Sequence, residues 1–224
     1  MDGTGQRISA VKASLPEGVT LVAVSKFHPA EAIMEAYGAG QRIFGESRAT
    51  ELVSKAKELP DDIEWHFIGH LQTNKVRAVM PYVTCIHSID SERLLRLVNT
   101  EAARIGRKVD VLLQVHVARE ETKFGFTAEE FDSLISGGIL NDVPSVRIRG
   151  VMGMASNVDD DERIAADFRA IKCMYDRLAE ALATSDGASC DTLSMGMSHD
   201  YRLAIECGSN MVRIGTTIFG EREY

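Results

Sequence analysis

The feature that most constrains this chain is the regular alternation of short apolar runs with longer segments of helical periodicity. Residues 21–24 and 111–115 are apolar almost throughout, which is typical of strands buried on both faces of a parallel sheet. Strands that alternate with helices through short connections predict an α/β fold. The predicted strands are Leu21–Ser25, Arg42–Phe44, Trp65–Ile68, Cys85–His87, Val109–Val117, Arg147–Met152, Thr192–Met195 and Met211–Ile214.

Eight strand-then-helix units in 224 residues favour a closed (β/α)8 TIM barrel of small size. The alternative is an open doubly wound sheet, in which a Gly-rich turn usually follows the first strand. Here the first strand is followed by Lys26-Phe27-His28-Pro29, which contains no glycine. We therefore predict a single barrel domain over residues 1–224.

Some helix starts can be predicted from capping residues. Asp90 is placed to cap the helix that follows the fourth strand, and Thr127 with Glu130 matches a capping box. Ser198 is placed to cap a helix over Ser198–Cys207.

Composition and charge exclude several classes of protein. Lys+Arg 25 against Asp+Glu 33 gives a net charge of −8, which disfavours nucleic acid as a partner. The chain has no signal peptide pattern and no apolar stretch of the roughly 18 residues that a membrane span requires, so we expect a cytoplasmic protein without a membrane partner. The four cysteines are scattered and are expected to be reduced thiols. The six histidines are dispersed, so no metal site is predicted, and His66 is expected to lie satisfied in the core.

The end of the first predicted strand carries a lysine. Functional residues of a TIM barrel gather at the carboxyl ends of its strands, which is where Lys26 falls. Lys26 is either a solvated side chain or an amine that points into the barrel mouth as a Schiff-base nucleophile. Partial burial would favour the second role, because it raises the neutral fraction of the amine.

The ends of the last two strands suggest a phosphate site. Small and hydroxyl residues occupy 194–198 and 213–217, where backbone N–H groups could approach an anion. Phosphate sites of TIM barrels are often built from the loops after strands seven and eight. Together with a lysine on strand one, such a site describes a barrel that binds pyridoxal 5′-phosphate (PLP).

At this point the sequence resembles the pyridoxal phosphate homeostasis protein family, the single-domain relatives of alanine racemase. The resemblance runs from Leu21 to Tyr224, and the order of its motifs makes it specific. The motifs are Val22-Ala23-Val24-Ser25-Lys26, Phe44-Gly45-Glu46, Trp65-His66-Phe67-Ile68-Gly69, Leu71-Gln72-Thr73-Asn74-Lys75, Ser194-Met195-Gly196-Met197-Ser198, Val212-Arg213-Ile214-Gly215-Thr216 and Ile218-Phe219-Gly220.

The resemblance implies a barrel like the N-terminal domain of alanine racemase, with PLP as its cofactor. Lys26 would form the internal aldimine with the PLP aldehyde, and Arg213 would face the pyridine nitrogen. Ser47 stands where family members often have an asparagine that contacts the cofactor. The residues that would surround the phosphate are Ser194, Ser198, Gly215 and Thr216.

The same resemblance implies a carrier of PLP rather than an efficient enzyme. Arg213 should leave the pyridine nitrogen unprotonated, which weakens the ring as an electron sink. The racemases carry a second domain that closes the site, and only Thr216–Tyr224 follow the last predicted strand here. We therefore expect an open site, no robust turnover and a role in intracellular PLP (vitamin B6) homeostasis. The expected partners are PLP, apo forms of PLP-dependent enzymes and free amino acids, and the chain is expected to be a monomer.

Two alternatives stay open at the level of the sequence. The first is a PLP-dependent amino-acid racemase or decarboxylase of the same barrel class. The second is a barrel enzyme that acts on another phosphorylated metabolite, with Lys26 incidental. Amino-acid turnover distinguishes the first from a carrier, and the yellow colour of bound PLP excludes the second.

Overall fold

The fold is a closed barrel of eight parallel strands, in which β1 is hydrogen-bonded to β8. The computed structural model describes residues 3–117, 124–183 and 190–221. The predicted TIM barrel is confirmed, and every predicted strand overlaps an observed one. The strands are β1 (Thr20–Val24), β2 (Ile43–Glu46), β3 (Glu64–Phe67), β4 (Val83–Ile89), β5 (Val109–Gln114), β6 (Val146–Met152), β7 (Thr192–Ser194) and β8 (Met211–Ile214).

Helices follow the strands on the outside of the barrel, and one helix, α1, precedes β1. Within the described ranges no helix is long and apolar enough to cross a membrane. Single 3-10 turns cover Thr73–Lys75 and Ile139–Asn141. The helices are α1 (Thr4–Ser14), α2 (Ala30–Gly38), α3 (Ala49–Glu58), α4 (Val76–Val79), α5 (Glu92–Arg104), α6 (Ala128–Ser136), α7 (Asp161–Ala183), α8 (Tyr201–Glu206) and α9 (Thr216–Phe219).

Of the predicted caps of α5 and α6, the one for α6 is confirmed and the one for α5 is wrong. The capping box before α6 is confirmed, since Thr127 Oγ1 accepts from the Glu130 N–H and the Glu130 carboxylate accepts from the Thr127 N–H. The prediction for α5 is wrong by one residue. Ser91 Oγ accepts from the Leu94 N–H at 3.3 Å, because Asp90 lies too early in the chain to reach the first turn.

The predicted cap of α8 is also wrong. The helix begins at Tyr201, and Asp200 occupies the N-cap position. Asp200 Oδ1 accepts from the Met197 N–H at 2.6 Å, which closes the turn that leads into the helix. Ser198 lies in this turn and bonds to another loop, as described below.

Side chains on the two faces of the barrel strands differ in size and polarity. Ala23, Phe44 and Trp65 belong to the large apolar core between the strands and the helices. Cys85, Leu112 and Met152 instead form a small separate cluster. Because successive strand residues point to opposite faces, this smaller cluster lies in the barrel interior, where polar side chains are also buried.

Candidate functional site

Lys26 is half-buried in a strained turn at the carboxyl end of β1. The next residue, Phe27, has a φ of 68°, in a region that bulky residues rarely adopt. The His28 N–H donates to the Ser25 carbonyl at 3.0 Å, and the Phe27 N–H donates to Glu51 Oε1 at 2.6 Å. These bonds fix the backbone on the C-terminal side of Lys26.

A buried ionic cluster contacts the same turn through the backbone of Ser25. Lys55 Nζ lies 2.9 Å from the Ser25 carbonyl oxygen, 2.8 Å from Glu46 Oε1 and 2.6 Å from Glu51 Oε1. The Ser25 hydroxyl donates to the same Glu46 oxygen at 2.6 Å. Burial raises the pKa of Glu46 to about 7, although the charge of Lys55 opposes this shift. No role was predicted for Glu46 or Lys55, although Glu46 ends one of the family motifs.

The loop after β8 packs directly against the end of β1. A Cβ atom on Gly215 would lie 3.2 Å from both Val24 Cβ and Val24 O, closer than most such contacts, so glycine lets the two segments approach. The His28 ring stacks on Phe219 with their centroids 4.9 Å apart. The segments that carry Lys26 and Gly215 are therefore held side by side.

Ser198 and Gly215 connect the loops after β7 and β8. The Gly215 N–H donates to Ser198 Oγ at 3.3 Å, and both residues are half-buried. Thr216 follows Gly215 and is exposed. A serine hydroxyl has one donor proton and two acceptor positions, so Ser198 can keep this bond and still donate to an anion.

Arg213 is buried at the end of β8, with 5% of its surface exposed. Its Nη1 donates to the Ser194 carbonyl at 2.8 Å and to Ser194 Oγ at 2.7 Å, and Nη2 donates to the Gly153 carbonyl at 3.1 Å. Burial lowers the pKa of Arg213 to about 10, so the guanidinium is charged at neutral pH. The arrangement presents a fixed cation within the barrel.

The structure places Ser194 with Arg213 rather than with Ser198 and Gly215. Its fully buried hydroxyl contacts Arg213 and also lies 3.2 Å from His87 Nδ1. These contacts lie inside the barrel and help to hold the guanidinium in place. The expected position of Ser194 beside a phosphate stays a prediction.

Ser47 follows β2, and His66 lies on the neighbouring strand β3. Ser47 is half-buried directly after β2, and a Cβ atom on Gly69 would collide with its carbonyl oxygen. His66 is buried and its Nδ1 lies 2.8 Å from His87 Nε2, so the expectation that it is satisfied in the core is confirmed. Sequence analysis missed His87.

Comparisons with known proteins agree with this fold over nearly the whole chain. The family described as "Alanine racemase, N-terminal domain" matches residues 4–223. A protein named pyridoxal phosphate homeostasis protein from Vibrio alginolyticus is 42% identical over 214 residues, which are 93% of this chain and 89% of that protein. The protein of the same name from Schizosaccharomyces pombe is 41% identical over 208 residues, which are 91% and 84% of the two chains.

Similar solved structures include a close relative and more distant enzymes. PipY of Synechococcus elongatus PCC7942, solved with PLP bound, is 35% identical with a TM-score of 0.87 and covers 97% of this chain and 100% of its own. Alanine racemase of Clostridium difficile 630 is 17% identical with a TM-score of 0.79. That likeness covers 100% of this chain and 58% of the racemase and shows a shared fold alone.

Proposed function

Because this chain belongs to the alanine racemase N-terminal domain family and, within it, to the pyridoxal phosphate homeostasis proteins, we propose that it binds PLP for vitamin B6 homeostasis. The observation that carries the proposal is the placement of Lys26, Ser198 and Arg213 at the carboxyl ends of three strands. They lie in a barrel that is 35% identical to a structure solved with PLP bound.

The residues at these strand ends fit the chemistry of PLP. The cofactor supplies an aldehyde that reacts with amines, a phosphate, and a pyridine ring that withdraws electrons. Lys26 is half-buried at the end of β1 and offers the amine that would attack the aldehyde. The contact between Gly215 and Val24 holds the loop after β8 beside the segment that carries this amine.

We assign the phosphate to Ser198, Gly215 and Thr216, through hydroxyl and backbone N–H donors. Arg213 would face the pyridine nitrogen, and its bond to Ser194 Oγ would help to hold the guanidinium in position. Ser47 would also bind the cofactor, although its side chain is shorter than the asparagine that often stands there in the family and would make a different polar contact. Each of these roles rests on the resemblance together with the position of the residue in the barrel.

We further propose that the chain holds PLP as a Schiff base with Lys26 and hands it on without robust turnover. Arg213 is donor-only and charged at neutral pH, so it opposes protonation of the pyridine nitrogen and weakens the ring as an electron sink. The recipients would be apo PLP-dependent enzymes, free amino acids would also react with the bound PLP, and the protein would act as a cytoplasmic monomer.

The attachment is tested by reducing the PLP-loaded protein with borohydride and mapping the labelled peptide. We expect one modified residue, Lys26, and no label in Lys26→Ala. The matched control is Lys75→Ala, which removes another half-buried lysine, in the segment between β3 and α4, and should be labelled like the parent. A label on Lys75, or none, would overturn the assignment.

Turnover distinguishes the carrier from the alternative, a racemase or decarboxylase. The PLP-loaded protein is incubated with L-alanine and other amino acids in deuterated water. We expect neither racemisation nor decarboxylation above about 1 s⁻¹, the low end for ordinary enzymes. Faster turnover that disappears in Lys26→Ala would instead establish an enzyme.

A further inference from the structure

Three side chains with metal-binding atoms meet inside the barrel, away from Lys26. His66 on β3 is the register partner of Cys85 on β4, and His87 lies two residues further along the same strand. Cys85 and His87 therefore point to the same face of the strand. One ring nitrogen from each histidine and the sulfur of Cys85 all lie within 4.8 Å of one another, and all three residues are buried.

The two histidine rings already lie in direct contact within this cluster. His66 Nδ1 and His87 Nε2 are 2.8 Å apart and share one proton in a hydrogen bond. A metal ion could take the place of that proton with a small outward shift of both rings, and each imidazole would stay neutral by carrying its proton on the nitrogen that faces away from the ion.

The second ring nitrogen of His87, Nδ1, has a hydrogen-bond partner, as metal-bound histidines usually do. Metal-bound histidines nearly always donate their second N–H to a fixed acceptor, which sets the tautomer. His87 Nδ1 lies 3.2 Å from Ser194 Oγ, and Ser194 Oγ accepts from the Arg213 guanidinium at 2.7 Å. Ser194 Oγ can accept from the His87 Nδ1–H, and this tautomer leaves Nε2 available as a ligand.

A cavity leads to the cluster from the end of the barrel opposite Lys26. It has a volume of about 280 Å³, and His66 and Cys85 both line it. Residues at or near the amino ends of the strands also line it, including Thr20, Glu64 and Thr192. An ion could thus reach the cluster without passing the proposed PLP site.

We propose that His66, Cys85 and His87 form a site for one soft monovalent cation, with Cu⁺ as the ion that fits best. A thiolate and two imidazoles suit such an ion. Binding exchanges the thiol proton of Cys85 for the metal, and the proton leaves through the cavity to solvent. Cu⁺ with one thiolate is neutral, whereas Zn²⁺ would leave a buried positive charge close to Arg213, at a cost in desolvation.

The test uses a protein in which Cys85 is the only cysteine, made by replacing Cys173, Cys190 and Cys207 with serine. Under anaerobic conditions, competition against bicinchoninate should show one Cu⁺ per chain. Cys85→Ser in this background should weaken binding by more than about 100-fold, beyond the range for loss of an outer contact. His87→Gln should also weaken it. Far-UV circular dichroism verifies the fold of each variant.

Two results would overturn the proposal. One is Cu⁺ affinity that Cys85→Ser leaves unchanged, which would place the ion elsewhere. The other is tighter binding of Zn²⁺ than of Cu⁺, which would contradict the charge argument. Protection of Cys85 from alkylation by Cu⁺ gives an independent readout, and it should disappear in a folded His66→Gln variant.

Discussion

Arg213 Nη1 lies 2.7 Å from Ser194 Oγ. The two residues are 19 positions apart in the chain and lie on the neighbouring strands β8 and β7. The guanidinium also donates to the carbonyl oxygens of Ser194 and Gly153, so its position is set by the barrel itself. A buried charge is tolerated only when its donors are satisfied. This contact therefore connects the stability of the barrel with the geometry of the proposed cofactor site.

Ser194→Ala should lower the free energy of unfolding by about 1.5–3 kcal/mol, the range for a hydrogen bond to a charged group. The physical reason is that a buried Arg213 donor loses one of its acceptors, and His87 loses its neighbour. Urea denaturation of the apo protein measures the change. The matched control is Ser88→Ala, because Ser88 is also a buried strand serine but its Oγ has no hydrogen-bond partner among the described residues. Equal losses in both variants would contradict the interpretation.

Ser198→Ala should weaken PLP binding by roughly 10- to 150-fold, which corresponds to the loss of about 1.5–3 kcal/mol. The hydroxyl that accepts from the Gly215 N–H is also the one proposed to donate to the phosphate. Equilibrium dialysis measures affinity, and the absorbance of bound PLP should keep its wavelength because Lys26 is untouched. Ser198→Thr keeps the hydroxyl and should retain most of the affinity. Unchanged affinity in both Ser198→Ala and Thr216→Val would place the phosphate elsewhere.

Glu46→Gln should flatten the pH dependence of stability between about pH 5 and pH 8. The pKa of Glu46 rises from 4.5 to about 7 on folding, so the folded state holds an extra proton between these values. Stability from this group is therefore full below about pH 4.5 and is lost as the pH rises through about 7, by on the order of 3 kcal/mol. Urea denaturation at several pH values measures the slope. Glu58→Gln, at an exposed position of α3, is the control and should keep the slope of the parent; the same slope in Glu46→Gln would contradict the prediction.

Gly69→Ala should destabilise the protein by more than about 1 kcal/mol, because its Cβ would collide with the Ser47 carbonyl and force the two loops apart. The matched substitution is Gly38→Ala in α2, where no atom lies within 4 Å of the new Cβ. That change should be neutral or stabilising by up to about 1 kcal/mol, the helix propensity difference. Thermal unfolding compares the two variants. A Gly69→Ala protein as stable as Gly38→Ala would show that the loops adjust freely.

The elements that could be predicted are those whose signal lies within a short stretch of chain. The strand Met211–Ile214 has the observed bounds because Asn210 precedes it and Gly215 follows it, and both residue types favour turns. The Thr127–Glu130 box depends only on neighbours in sequence. The predicted caps Asp90 and Ser198 were wrong, because the first residue of a helix depends on the path of the chain between the preceding strand and that helix. The family motifs predicted that Lys26, Arg213 and Ser198 lie at strand ends, but they did not predict which residues contact them.

The sequence by itself determined the alternation of strands and helices, and hence the barrel and the strand ends where Lys26 and Arg213 lie. Only the tertiary structure decided which side chains meet. Pairing of β3 with β4 places His66 beside Cys85, pairing of β7 with β8 brings Ser194 to Arg213, and the closed barrel brings Ser194 to His87 across its interior, contacts that no local pattern encodes. The physical reason is that apolar periodicity is a property of each segment alone. The partner of a buried polar group, in contrast, depends on register and strand order, which are fixed when the whole sheet closes.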